Sequence, residues 1–112
     1  TRALFDTGAF PSIIRDDVLP AGATVIRSPE PYALGTAGKQ GKVTITGGTI
    51  LKISIGDRLI QHQVLVSSDL RTSMIIGAGA MQEWSISIRN ENGSTTVVVG
   101  HDLRDPDITE VD

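Results

Sequence analysis

Apolar and polar residues alternate along most of this chain, in short runs separated by Gly, Pro, Asn and Asp. Period two is the spacing of strands with one buried face, so the pattern predicts an all-β domain. Leu51, Ile53 and Ile55 alternate with Lys52 and Ser54, and Gly56-Asp57 follows. A Gly at the first central position suits the type II′ turn, which makes this a two-residue hairpin. The return strand, Leu59 to Val66, carries Ile60, Val64 and Val66 on one face. A second hairpin reads from Ile86 and Ile88, through a turn at Asn90-Glu91-Asn92-Gly93, to Thr95 and Val99.

Other segments are less regular. Pro20-Ala21-Gly22 breaks the chain after Val18-Leu19, and Pro29 and Pro31 flank Glu30 in what reads as a loop. Gly35, Gly38 and Gly41 punctuate a polar segment from Tyr32 to Lys42, expected to be mobile. Ala78 to Trp84 is the best helical candidate, weakened by Gly79. Trp84 is expected to plug the core beneath the sheet. The acidic tail, residues 101–112, sets five carboxylates against Arg104 and contains Pro106, so it is expected to pack weakly or fray.

At 112 residues the chain is long enough for one domain and too short for two, with that domain read over residues 1–100. Ten Lys and Arg against thirteen Asp and Glu give a net charge of −3, and the cations are scattered. No basic cluster points to nucleic acid. No apolar run approaches the roughly 18 residues of a membrane span, so no membrane contact is expected. Absence of cysteine excludes disulfides and thiolate metal sites and leaves the compartment open. The chain begins at Thr1, only five residues ahead of Asp6. It reads as a processed or excised fragment, with any targeting segment upstream out of view.

The candidate chemistry sits in Ala3-Leu4-Phe5-Asp6-Thr7-Gly8-Ala9. Two apolar residues lead into a carboxylate, and a hydroxyl, a glycine and a small residue follow. This suits an aspartate at the end of a buried strand, in a tight turn. Asp and Gly also favour ordinary turns for purely conformational reasons. An aspartic protease needs two carboxylates sharing one proton, because like charges about 3 Å apart cannot both ionise. This chain has one Asp-Thr-Gly. Either Asp6 is not a catalytic acid, or a second copy of the chain supplies its twin. A second apolar run closing on glycine, Met74-Ile75-Ile76-Gly77, raises the standing of the catalytic reading.

With these residues the chain resembles a retroviral-type aspartic protease domain, the retropepsin-like family. Leu4-Phe5-Asp6-Thr7-Gly8-Ala9 is similar to the catalytic loop, and Ser12-Ile13-Ile14 to the strand after it. Ala37-Gly38-Lys39-Gln40-Gly41 stands where the family has its flap tip. Gly47 to Val66 resembles the long hairpin, and Val64-Leu65-Val66 with Met74-Ile75-Ile76-Gly77 the segments that brace the active site. The resemblance runs from Ala3 to about Val99. It departs at Phe10 and Ala78, where retroviral enzymes commonly carry a paired acid and arginine. Gly79 stands where a polar residue is usual, and the strand and hairpin arm that usually precede the catalytic loop are nearly missing.

The resemblance implies an all-β retropepsin-like fold, a closed, barrel-like monomer with one short helix, active as a two-fold homodimer. It implies an endopeptidase, possible self-processing from a longer precursor, and a water activated between two Asp6 carboxylates. Thr7 would hold the dyad rigid, and Gly8 would let substrate approach the backbone. The Gly35 to Gly41 segment would close as a flap over an extended peptide. Substrate contacts are assigned to Ala9, Phe10, Leu34, Gly35, Thr36, Ala37, Gly38, Ile75 and Ile76; Phe10, Leu34, Ile75 and Ile76 fit plain core equally well. His62, on the face shared with Ile60 and Val64, reads as a satisfied or edge histidine. No His/Asp/Glu cluster has coordination spacing, so neither metal nor cofactor is expected. The competing reading is a non-catalytic retropepsin-like module that dimerises or binds peptides.

Overall fold

Both hairpins foreseen from the alternation form, in a computed structural model that describes residues 2–36 and 41–100. The strands are β1 (Leu4–Asp6), β2 (Ile13–Arg15), β3 (Ile26–Gly35), β4 (Lys42–Ile55), β5 (Arg58–Ser67) and β6 (Met74–Gly77). A short helix, α1 (Ala78–Glu83), leads to β7 (Ile86–Glu91) and β8 (Ser94–Val99). Ile55 pairs with Arg58 across Gly56-Asp57, and Gly56 has φ +60°. A positive φ at that position alone is the II′ signature. In the second hairpin Asn90 and Glu91 extend the ladder, pairing with Thr95 and Ser94. The turn therefore shrinks to Asn92-Gly93, both with positive φ (52° and 77°), as a type I′ turn requires.

Among the described residues one six-stranded sheet runs β1-β6-β2-β5-β4-β3, and β7-β8 form a separate two-stranded sheet. The larger sheet curls into a half-barrel with β1 and β3 as its ends, where a closed barrel was expected. Its all-β character, with one short helix, is as the alternation predicts. Pro29-Glu30-Pro31 lies within β3 and not in a loop. The ladder nevertheless slips there: Arg27 pairs with Gly47 and Tyr32 with Ile45, so four residues of β3 oppose one of β4. Prolines lack the N–H a ladder needs, and an edge strand with a bulge is where they are tolerated. Tyr32 to Gly35, expected to be mobile, is paired strand; Ala37 to Gln40 lies outside the described residues, as do Thr1 and residues 101–112.

The core divides into two clusters. Ile14, Val64, Val66, Met74 and Ile76 pack with Ala80, Met81 and Ile86 in the first. Ala9, Ile13, Val43, Ile45, Leu70 and Ile75 form the second. Ile13 and Ile14 fall in different clusters, and so do Ile75 and Ile76, because neighbouring strand residues point to opposite faces. Ile13-Ile14 of β2 and Met74-Ile75-Ile76 of β6 are thus buried on both sides, which is why they read as unbroken apolar runs. Each fully buried Ile contributes about 1.5–3 kcal/mol. Trp84 is partly buried against the first cluster, with its indole N–H buried and without a hydrogen-bond partner among the described residues.

Candidate functional site

Strands β1 and β6 are parallel neighbours, with Asp6 paired to Gly77. The chain leaves Asp6 at the end of β1, crosses the end of β6, and returns as β2 on its far side. That crossing makes the end of β6 a tight place. A Cβ at Gly77 would lie within 2.7 Å of the carbonyl oxygens of Ala9, Phe10 and Pro11. The need for glycine here is steric, since Gly77 has an ordinary φ of −87°.

Backbone bonds then tie the crossing chain down. Ala78 N–H donates to the Ala9 carbonyl at 2.6 Å, and Gly79 N–H to the Phe10 carbonyl at 2.9 Å. Gly77 N–H donates to the Ser12 hydroxyl at 3.1 Å, in a fully buried contact. Ser12 is 1% exposed, and its own carbonyl accepts from Leu65 N–H at 2.9 Å. One serine therefore links the loop to both β6 and β5. A polar residue directly ahead of Ile13-Ile14 was the only trace of this role in the sequence.

Asp6 itself is half-buried, while Thr7 and Gly8 are exposed. Gly8 N–H donates to Asp6 Oδ1 at 2.9 Å, and Ala9 N–H to the Asp6 carbonyl at 3.3 Å. The carboxylate is thus fixed by its own loop, and its second oxygen has no hydrogen bond among the described residues. Ala9 is buried at 4% exposure and anchors the loop in the second core cluster.

The remaining assigned residues separate into three groups. Ile75 and Ile76, at 0% and 1% exposure in the single chain, are enclosed in the second and first core clusters respectively. They support the loop from below, as β6 is enclosed on both faces. Phe10 is 68% exposed and lies over Gly79, whose Cβ position is 3.1 Å from the ring. With Ile50, His62, Gln63, Leu65 and Glu83 it lines a cavity of about 570 Å³. The ring of Phe10, at the position noted as lacking an acid, thus packs on Gly79, the neighbour of Ala78. Leu34 packs against the second cluster, one pair from the turn end of the β3–β4 ladder. Beyond it Gly35 is exposed, and both the N–H and the hydroxyl of Thr36 donate to the Gly41 carbonyl, at 2.8 and 2.7 Å. Ala37 and Gly38 lie outside the described residues.

Two polar features escaped the sequence reading. Asp69, in the β5–β6 loop, accepts from Thr44 N–H at 2.7 Å, from the Thr44 hydroxyl at 2.9 Å and from the Ser67 hydroxyl at 3.1 Å. The backbone bond from Thr44, aided by the hydroxyls, holds its carboxyl below the ordinary 3.8. Arg15 binds Asp17 at 2.6 Å and reaches the carbonyls of Leu70 and Arg71. Together they moor the 67–73 loop to β4 and β2. His62 is satisfied, with Nδ1 3.0 Å from Glu83 Oε2.

No family model matches the chain, and no curated protein matches it. Among the described residues no helix is long and apolar enough to cross a membrane.

Proposed function

We propose that this chain is an aspartic endopeptidase of the retropepsin-like type, working as a homodimer with one Asp6 from each copy. The reading rests first on the sequence resemblance. The observation that carries it furthest is the mounting of Asp6: a carboxylate at a strand end, bonded to Gly8 N–H, on a loop braced by Gly77 and Ser12. Each chain brings one such carboxylate, and closed two-fold symmetry is the simplest way to pair it.

In the mechanism, the ionised Asp6 takes a proton from the water as general base. The protonated Asp6 of the partner donates to the scissile carbonyl oxygen as general acid. The two titrate as one unit. Thr7, exposed in the single chain, holds the pair across the two-fold axis, and Gly8 leaves room for substrate backbone. The β3–β4 hairpin covers an extended peptide and adds backbone hydrogen bonds. No metal or cofactor takes part in this scheme.

The alternative is a peptide-binding or dimerisation module without turnover, favoured by the shortness of β1, three residues long. Peptide hydrolysis by wild type and Asp6→Asn across acidic to neutral pH separates the two. Loss of cleavage with binding retained is the expected result. Hydrolysis that survives Asp6→Asn would sink the protease reading.

A further inference from the structure

For most of its length strand β5 is paired along one edge. With β4 it forms a ladder from Arg58 to Ser67. On its other side β2 covers Leu65, Val66 and Ser67, and among the described residues no strand lies against Arg58 to Val64. One bond fixes which way the backbone groups point there. Leu65 N–H donates to the Ser12 carbonyl at 2.9 Å, so the Leu65 backbone faces away from β4. In an antiparallel ladder that direction reverses at every residue, and no slip intervenes between Val66 and Arg58. Ile60, His62 and Val64 therefore bond to β4, while Leu59, Gln61 and Gln63 turn N–H and C=O to the open edge. The hairpin agrees, because the pair flanking its two-residue turn, Ile55 and Arg58, has the same parity as the bonded set.

Neither Gln61 nor Gln63 has a backbone hydrogen bond off this ladder among the described residues. Both line the cavity of about 570 Å³, together with Phe10, Pro11, Gly79 and Glu83. The chain ahead of β2 does not continue along β5, since Ala9 and Phe10 are bonded to Ala78 and Gly79. Open edges are commonly blunted by proline, lysine or a bulge. The outer edge of β3 has Pro29, Pro31 and a slipped register. The stretch from Leu59 to Val64 has no proline, lysine or carboxylate, and its register is unbroken.

Such an edge recognises peptide backbone. Its outward donors and acceptors recur about every 7 Å, two residues' rise, and another extended chain matches that repeat. Phe10, 68% exposed, offers an apolar wall for the side chains of that chain. Among the described residues Glu83 is the one carboxylate that lines the cavity. Its Oε2 is 3.0 Å from His62 Nδ1, and its other oxygen has no printed partner to compete with a Lys or Arg. We infer that the open edge of β5 accepts an extended, unpaired segment of another protein as an added strand, with a basic residue beside Glu83. This site uses none of Asp6, Thr7 and Gly8, and it stands whether or not Asp6 hydrolyses peptides.

The probe is a fluorescent peptide of alternating Val and Thr with one Lys, titrated into Asp6→Asn protein so that no cleavage intervenes. Binding is expected to shift the amide signals of Gln61 and Gln63 and to slow their exchange with solvent. Those of Ile60 and His62, already bonded to β4, should exchange slowly throughout. Gln61→Pro removes an outward N–H and spares the β4 ladder, as prolines on strand edges do. Affinity should then fall about tenfold, the effect of about one backbone bond. Peptides N-methylated at every Val or at every Thr cover the case in which that variant fails to fold, and at least one should lose affinity about tenfold. Replacing the Lys by Glu should weaken binding a few-fold at low salt, and less as salt rises. Signals that move only around Asp6 and the β3–β4 hairpin overturn the inference, as does affinity untouched by Gln61→Pro and by both N-methylated peptides. Gln61 and Gln63 amides that are protected before peptide is added also overturn it. Protection lost on removing residues 101–112 assigns the edge to the chain's own end, and protection lost on dilution assigns it to a second copy.

Discussion

Strands β6 and β3 both send side chains into the second core cluster, Ile75 from one and Leu34 from the other, yet they are held very differently. All four residues of β6 are buried. In β3 only Ser28 and Leu34 are even half-buried, and its ladder slips between Arg27 and Tyr32. Strand β6 has partners on both edges; β3 has one and ends the sheet. The half of the site that mounts the carboxylate is therefore fixed by backbone crossings and burial. The half that would cover a ligand hangs on an edge hairpin, where local opening is least costly. On the proposed reading a catalytic group needs fixed geometry and a cover needs to move, and the sheet order would supply each from opposite ends.

The contrast breaks most sharply at Gly77. Gly77→Ala drives a Cβ into the carbonyls of Ala9, Phe10 and Pro11. Destabilisation of about 3 kcal/mol is expected in urea titration, because backbone cannot yield as a side-chain tip can. A loss below about 1 kcal/mol would mean that the loop is not rigid. Ser12→Ala comes next. It leaves the buried Gly77 N–H without its acceptor, at a cost of about 1–3 kcal/mol. Amide exchange near Ala9 and Gly77 should quicken, with the β3–β4 amides unchanged.

Asp69 joins the two regions, because it pins Thr44 of the hairpin to the loop before β6. Its folded-state pKa is lowered, chiefly by the Thr44 N–H. A lowered carboxyl pKa contributes stability that is present above the unfolded value, 3.8, and is lost as pH falls through the folded value. Urea midpoints should drop as pH goes below about 4, and Asp69→Asn should flatten that part of the profile. If the slope persists unchanged in Asp69→Asn, another carboxylate carries it. The smallest effect is expected at the His62–Glu83 pair, which lies outside both regions. Glu83 is 60% exposed, so Glu83→Gln should change stability by less than about 0.5 kcal/mol in the same titration.

Much of this was legible in the chain. Alternation marked the β4–β5 and β7–β8 hairpins, and Gly56 announced its turn, because these features depend on near neighbours. The slip at Pro29-Glu30-Pro31 was less visible: prolines say that a ladder is interrupted, not that it resumes beyond. Ser12 and Asp69 were unreadable as braces. Their partners, Gly77 and Thr44, lie 65 and 25 residues away, and one long-range hydrogen bond leaves no periodic trace. Ile75 and Ile76 were ambiguous for a different reason. An apolar run beside a candidate carboxylate suits a subsite wall and a two-sided core strand equally, and only the strand order shows that both core clusters enclose it.

Pairing of Asp6 between two copies is tested most directly by the rate of peptide hydrolysis per mole of chain, followed on dilution and on mixing with excess Asp6→Asn protein. A shared dyad requires the rate per chain to fall as the dimer dissociates. It also requires Asp6→Asn chains to quench wild type, since each mixed dimer holds one carboxylate and one amide. Hydrolysis whose rate per chain is constant on dilution to monomer, and indifferent to excess Asp6→Asn, would contradict it.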